Sequence, residues 1–136
     1  HLVEHVIKFC VNNHSCVNAA IQFGGIAALD GSDDFINMMM EKFTKRRKII
    51  FEGLNNIKGI ECSLPGGAFY AFPKIDNNPY NSDKDFVMEL VKQKGVLTVH
   101  GSGFGTQYGS GHFRIVFLPN MEILESALDK IEDFVR

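Results

Sequence analysis

Arg114 stands inside the apolar run Phe113-Arg114-Ile115-Val116-Phe117-Leu118, with Gly111-His112 before it and Pro119 after it. Side chains alternate along a strand, so Phe113, Ile115 and Phe117 share one face and Arg114, Val116 and Leu118 the other; both faces read as covered. A guanidinium kept from water needs an anion, and the strand itself contains no Asp or Glu. A bound carboxylate would match its fork bidentately. A cross-strand salt bridge, or a sheet face more open than the residue types suggest, accounts for the same arginine equally well.

Other residues offer weaker chemistry. Gly101-Ser102-Gly103-Phe104-Gly105 follows a short strand, as a phosphate loop does, but such loops deliver the phosphate to a helix N-terminus. No helix is expected next, so Thr106 to Gly111 read as a flexible loop beside a site. His1 and His5 stand i, i+4 on one helical face, yet no third ligand is evident, and surface histidines are the expected reading rather than a metal site. Ser102, His112 and the aspartates contain the letters of a hydrolase triad. The serine lacks an elbow motif and the histidine lacks an orienting group, so that chemistry is set aside. Cys10, Cys16 and Cys62 are odd in number and show no C-x-x-C spacing, which argues against a disulfide framework or zinc and suits a reducing cytoplasm.

The elements that must carry these residues fit one domain of 136 residues. By size scaling such a chain buries about 65–70% of its unfolded surface. A formal charge of −2 gives no electrostatic reason to expect nucleic acid or an anionic membrane, and no apolar run is long enough to span one,. The chain opens on His1, already inside an uncapped amphipathic run, and is expected to be a piece of a longer protein. Helices are predicted over about residues 2–11, ending at Asn12-Asn13-His14-Ser15, and over about 16–29, with Gly24-Gly25 inside. A long helix follows over about 33–54, capped by Ser32. Its stripe is Ile36, Met40, Phe43, Ile50 and Leu54, and Lys45-Arg46-Arg47-Lys48 are expected on the solvent side. Ile60–Leu64 and Ala68–Phe72 read as two strands joined by a turn at Pro65-Gly66-Gly67, and Pro73 to Asn81 as a polar loop. Ser82-x-x-Asp85 resembles a capping box opening a helix with Phe86, Val87, Leu90 and Val91 inward. Val96–Val99 is a short strand, and a last helix over about 120–135 carries Leu124, Leu128, Ile131 and Val135. The fold class is α/β (α+β), two layers, with a small, mostly antiparallel sheet packed against helices.

Pro65 to Phe72, Gly95 to Gly105 and Phe113 to Leu118, in this order and spacing, resemble the carboxy-terminal domain of class I/II aminotransferases of the aspartate aminotransferase type. Ser15 to Gln22 followed by Leu29-Asp30-Gly31 resembles the helix by which those enzymes enter their small domain. The resemblance implies that residues 1–15 are a connecting helix from a large domain lying outside the chain and residues 16–136 the small domain. It further implies pyridoxal 5'-phosphate as cofactor, amino acid and 2-oxo acid substrates and a homodimer, while the cysteines point to the cytoplasm. The family's arginine for the substrate α-carboxylate matches Arg114, while Phe69 and Ser102 match segments near the substrate. None of the ten lysines lies in a matching motif, so the cofactor lysine is expected in the large domain,. A decarboxylating synthase or lyase of the same fold, and a free-standing carboxylate-binding or regulatory module, are the rival readings.

Overall fold

The computed structural model describes residues 1–76 and 78–136. The chain divides into two compact units, His1–Ile36 and Asn37–Arg136. The first contains α1 (Leu2–His14) and α2 (Ala19–Asp30), and α3 (Asp34–Asn56) starts at its end. α1 runs beyond the stop predicted at residue 11, because the Asn12 amide donates to the Lys8 carbonyl at 2.7 Å and is absorbed into the helix surface,. α2 starts later than predicted. Asn18 accepts the Ala20 N–H at 2.8 Å and so fixes the first turn at Ala19 rather than Cys16,. The Gly24-Gly25 pair sits within it with open space around both. Every residue of this unit is exposed, Phe9, Phe23 and Leu29 included.

The second unit has a core. α3 buries Ile50 and Leu54 completely and half-buries Phe43, whereas Met40, expected in the same stripe, is exposed, as is Ile36 in the first unit. The basic run on this helix is not wholly solvated. Arg46 donates to the Leu118 carbonyl at 2.5 Å and Arg47 to the Pro65 carbonyl at 3.1 Å, so both are half-buried ties to distant loops, while Lys45 and Lys48 face water.

Five short strands follow among the described residues: β1 (Ile60–Glu61), β2 (Tyr70–Ala71), β3 (Lys74–Ile75), β4 (Val99–His100) and β5 (Phe113–Val116). The hairpin expected about Pro65-Gly66-Gly67 does not form. β1 pairs with β3, antiparallel, and β2 with β5. The reason lies at Cys62, where the Asn55 side chain takes both the N–H at 3.0 Å and the carbonyl at 2.9 Å, occupying groups a hairpin partner would need,. β3 lies inside the stretch predicted as a loop, two residues between Pro73 and Asp76 being too short to show any period; Asn77 of that stretch is outside the described residues. The second sheet has the order β2-β5-β4, antiparallel throughout, with β5 in the centre.

α4 (Asp83–Lys94) begins as predicted, with the Ser82 hydroxyl accepting the Asp85 N–H at 3.0 Å, and it buries Phe86, Val87 and Leu90. α6 (Met121–Val135) is capped by Asn120 and buries Leu124, Leu128 and Ile131. These side chains, with Ile50, Leu54, Phe113, Ile115 and Phe117, make one apolar core between helices and sheet, the α/β two-layer arrangement expected,. The glycine run departs from expectation. Gly101–Phe104 is a 3-10 turn and Thr106–Gly109 a single turn of helix, α5, closed by the Gly109 N–H on the Gly105 carbonyl at 2.8 Å. The backbones of Gly101 and Gly109 cross so closely that a Cβ on either would overlap the other's main chain,.

Candidate functional site

β5 places Arg114 between its two neighbouring strands, and each neighbour contributes one aromatic ring. Tyr70 on β2 is paired with Val116, so it is the diagonal neighbour of Arg114 on the same face of the sheet,. Its ring centroid lies 4.6 Å from the guanidinium carbon. Phe104 arrives from the turn that follows β4 and lies 4.5 Å away. The guanidinium is therefore held by two rings, an arrangement that attracts the cation while restricting where an anion can approach it. Arg114 Nε is buried and meets no hydrogen-bond acceptor among the described residues. None of the described ion pairs involves Arg114.

This settles two points left open by the sequence. No cross-strand salt bridge neutralises Arg114 among the described residues. The strand is not covered on both faces: Phe113, Ile115 and Phe117 are buried, but Arg114 and Val116 are half-buried and Leu118 is 46% exposed. The open face explains how the cation is tolerated, since part of its surface meets solvent.

More aromatic surface adjoins the arginine. Phe72 meets Phe104 edge to face at 6.0 Å and stacks on His112 at 5.2 Å. Phe69 is half-buried, in contact with Tyr70 at 4.6 Å between centroids and with Phe43 at 6.5 Å, so Tyr70 rather than Phe69 covers the guanidinium. Ser102 is engaged within its own turn. Its N–H donates to the Asp83 carboxylate at 2.6 Å, and its hydroxyl lies 3.0 Å from His100 Nδ1, which also accepts the Gly103 N–H at 3.1 Å. Burial alone would raise the Asp83 carboxyl, but the hydrogen bonds from Ser102 outweigh it together with smaller contributions from its own N–H and from His100, and the acid lies below its ordinary value,. His1 and His5 meet edge to face at 6.0 Å, and no group of three metal-ligating side chains gathers among the described residues.

Tyr70, Phe104 and Asp83 are the residues that sequence reasoning passed over. Tyr70 and Phe104 lie inside quoted motifs. For Phe104 the available signal was a single aromatic residue within a glycine run, because glycines shape a turn and the one large side chain among them is what the turn presents.

The family model for class I and II aminotransferases matches residues 3–131. The chain belongs to that family. It is 47% identical to the solved alanine aminotransferase of Pyrococcus furiosus, with a TM-score of 0.88, over 97% of this chain and 33% of that one. The aromatic aminotransferase of Pyrococcus horikoshii superposes with a TM-score of 0.86 at 31% identity, over 98% of this chain and 35% of that one. Among curated proteins, the probable aspartate/prephenate aminotransferase of Rhizobium leguminosarum is 37% identical over 83% of this chain and 30% of its own length. The chain thus spans about a third of the length of the relatives it matches.

Proposed function

We propose that this chain is the substrate-binding small domain of a pyridoxal-phosphate-dependent aminotransferase that moves an amino group between an amino acid and a 2-oxo acid, and that Arg114 binds the substrate α-carboxylate. The observation that carries the reading is the guanidinium held between Tyr70 and Phe104 with a buried, unpartnered Nε. A structural arginine ends on an acceptor of its own chain, as Arg46 and Arg47 do. Arg114 instead has a shaped environment and an unmatched donor, which suits an anion that arrives from outside. Two flanking rings fix the plane of the fork, and a planar fork selects a planar carboxylate and sets the orientation of whatever carries it.

The lysines of this chain do not fit the cofactor. An amine that condenses with its aldehyde must be able to lose its proton, which calls for desolvation or a neighbouring cation. Nine of the ten lysines are exposed and Lys94 is paired with Asp133. The hydrogen bonds to Asp76 and Glu89 push Lys74 and Lys92 upward, the opposite of what is required. The cofactor is assigned to a large domain of the same protein, outside this chain. A homodimer in the cytoplasm belongs to the same proposal. Among the described residues no helix is long and apolar enough to cross a membrane.

The test is kinetic, in the longer enzyme. Arg114→Lys keeps the charge and loses the fork, and Arg114→Ala loses both. A hydrogen bond to a charged group contributes roughly 1.5–3 kcal/mol, so kcat/KM for an amino acid should fall at least about tenfold, further for alanine than for lysine. The amine lacking the carboxylate should be turned over equally by all three forms. Equal losses on both substrates would make Arg114 structural and end the proposal.

A further inference from the structure

We propose that Asp83 is a positioning residue for Arg114, acting through the Gly101–Phe104 turn; the inference rests on Arg114 being the carboxylate anchor. The two rings on Arg114 are not equally secured. Tyr70 belongs to a strand hydrogen-bonded to β5, so the sheet itself sets its distance. Phe104 is 52% exposed and ends a four-residue turn that contains two glycines. A ring so exposed gains little from its own contacts, and glycines leave the backbone beneath it many alternatives. The turn must be fixed from behind.

It is fixed at both ends by backbone and in the middle by two side chains, of which His100, preceding the turn, accepts the Gly103 N–H at 3.1 Å and Asp83 reaches in from α4. At the start, the Gly101 N–H donates to the His112 carbonyl at 2.8 Å beside the Gly101/Gly109 crossing. At the end, the Gly105 N–H donates to the Ser102 carbonyl at 3.2 Å. Between them the Ser102 N–H finds its acceptor on another element, the carboxylate of Asp83, at 2.6 Å. Asp83 is the first residue of α4 and only 6% exposed. Helix capping does not account for it, because Ser82 already supplies the cap. A carboxylate is buried at a cost, and here its hydrogen bond reaches across to the turn that carries Phe104,. Removing that acceptor leaves a turn N–H unmatched in a half-buried place, and the turn must rearrange to solvate it. Phe104 then leaves one face of the guanidinium, and Arg114 keeps its charge but loses its fixed plane.

The experiment uses this chain, labelled with nitrogen-15, and follows the Arg114 Nε–H resonance, whose shift carries the ring currents of Tyr70 and Phe104. Sodium acetate serves as the carboxylate probe, and the dispersed methyl signals of the buried Ile50 and Leu54 report that the core is folded. Phe104→Leu, Asp83→Leu and Asp83→Ala should all move the Arg114 signal in one direction, since neither Leu nor Ala at position 83 offers the Ser102 N–H an acceptor. Each should weaken acetate by roughly two- to fivefold, the size of one exposed cation–π contact. Asp83→Ala combined with Phe104→Leu should add little to either alone, since both remove the same contact. An unmoved Arg114 signal in a folded Asp83 variant, or full additivity, overturns the proposal. Should Asp83→Ala unfold the chain, Asp83→Leu, close to Asp in shape but without an acceptor, decides. Should the parent chain fail to bind acetate while the Asp83 variants still shift Arg114 as Phe104→Leu does, positioning stands and the carboxylate assignment falls.

Discussion

The two faces of β5 are made by one short strand and obey different rules. On the first, Phe113, Ile115 and Phe117 are 0%, 5% and 1% exposed and join the core with Phe86, Leu90 and Leu124. On the second, Arg114 and Val116 are half-buried, Leu118 is exposed, and the arginine is surrounded by rings rather than by hydrogen-bond acceptors. The core face is determined by volume, and any loss of atoms there leaves a void. The other face is determined by orientation, and little of the fold depends on it. Because alternate residues of a strand point to opposite faces, stability and recognition are separated at every step along four residues. Substitutions at neighbouring positions should therefore have unlike consequences.

The largest effect is expected at Phe113, which is fully buried and packs on Phe86 with centroids 5.5 Å apart. Phe113→Ala should cost about 3–5 kcal/mol of stability. Urea unfolding measures it, and a loss near that of a surface site would erase the distinction between the faces. One residue on, Arg114→Ala should change stability by no more than about 1 kcal/mol, because it removes a half-buried charge that still meets solvent and one buried donor that already lacks a partner,. The same unfolding curve reads this, and a shift as large as that of Phe113→Ala would make the arginine a core residue.

The contrast was partly legible in the sequence. The period-2 pattern put Phe113, Ile115 and Phe117 together on one face, though it read both faces as covered, and the 3.6-residue stripes of α4 and α6 identified two helices with core-facing sides. The openness of the second face was not legible, since Val116 and Leu118 are apolar whether or not anything covers them. Arg114 stood out because a cation in an apolar strand is rare on elementary grounds. Its two rings did not, because Tyr70 reaches it through strand pairing, which leaves no local pattern, and Phe104 through a turn whose one local sign is an aromatic residue among glycines. The hairpin was misplaced for a related reason: strand composition at Ile60–Leu64 is real, but the partner is chosen by Asn55 at Cys62, a competition between a side chain and a strand that composition does not express. The same limit applied to Asp83, whose place at a helix start concealed a bond to a turn nineteen residues away.

A smaller effect is expected where the elements behind the second face begin. Ser82→Ala removes the acceptor for the Asp85 N–H and should cost about 1 kcal/mol, the usual size for a lost cap,. It should leave the Arg114 resonance where it is, since the cap and the Asp83 contact are made by different atoms. A shift of Arg114 in Ser82→Ala would mean that the whole start of α4, and not Asp83 alone, holds the turn.

The smallest effect is a difference in acid response between the faces. Burial would raise the Asp83 carboxyl, but the Ser102 hydrogen bonds, with smaller help from its own N–H and from His100, more than offset this and leave it below its ordinary value when the chain is folded. The folded state then binds fewer protons than the unfolded state between the two values, so stability rises with pH across that window. Above the ordinary Asp range the contribution is complete, and as pH falls toward the lower folded value it is lost. Glu89 and Asp133 shift the same way through their pairs with Lys92 and Lys94, but these are surface pairs and contribute little,. The gap in unfolding midpoint between the parent and Asp83→Asn should therefore narrow from neutral pH to about pH 3, below the ordinary Asp value. The gap between the parent and Phe113→Ala should stay constant, because no proton is exchanged at a packed ring. Equal narrowing for both would place the acid sensitivity in the core face, and no narrowing for Asp83→Asn would mean that the contact with Ser102 owes nothing to charge.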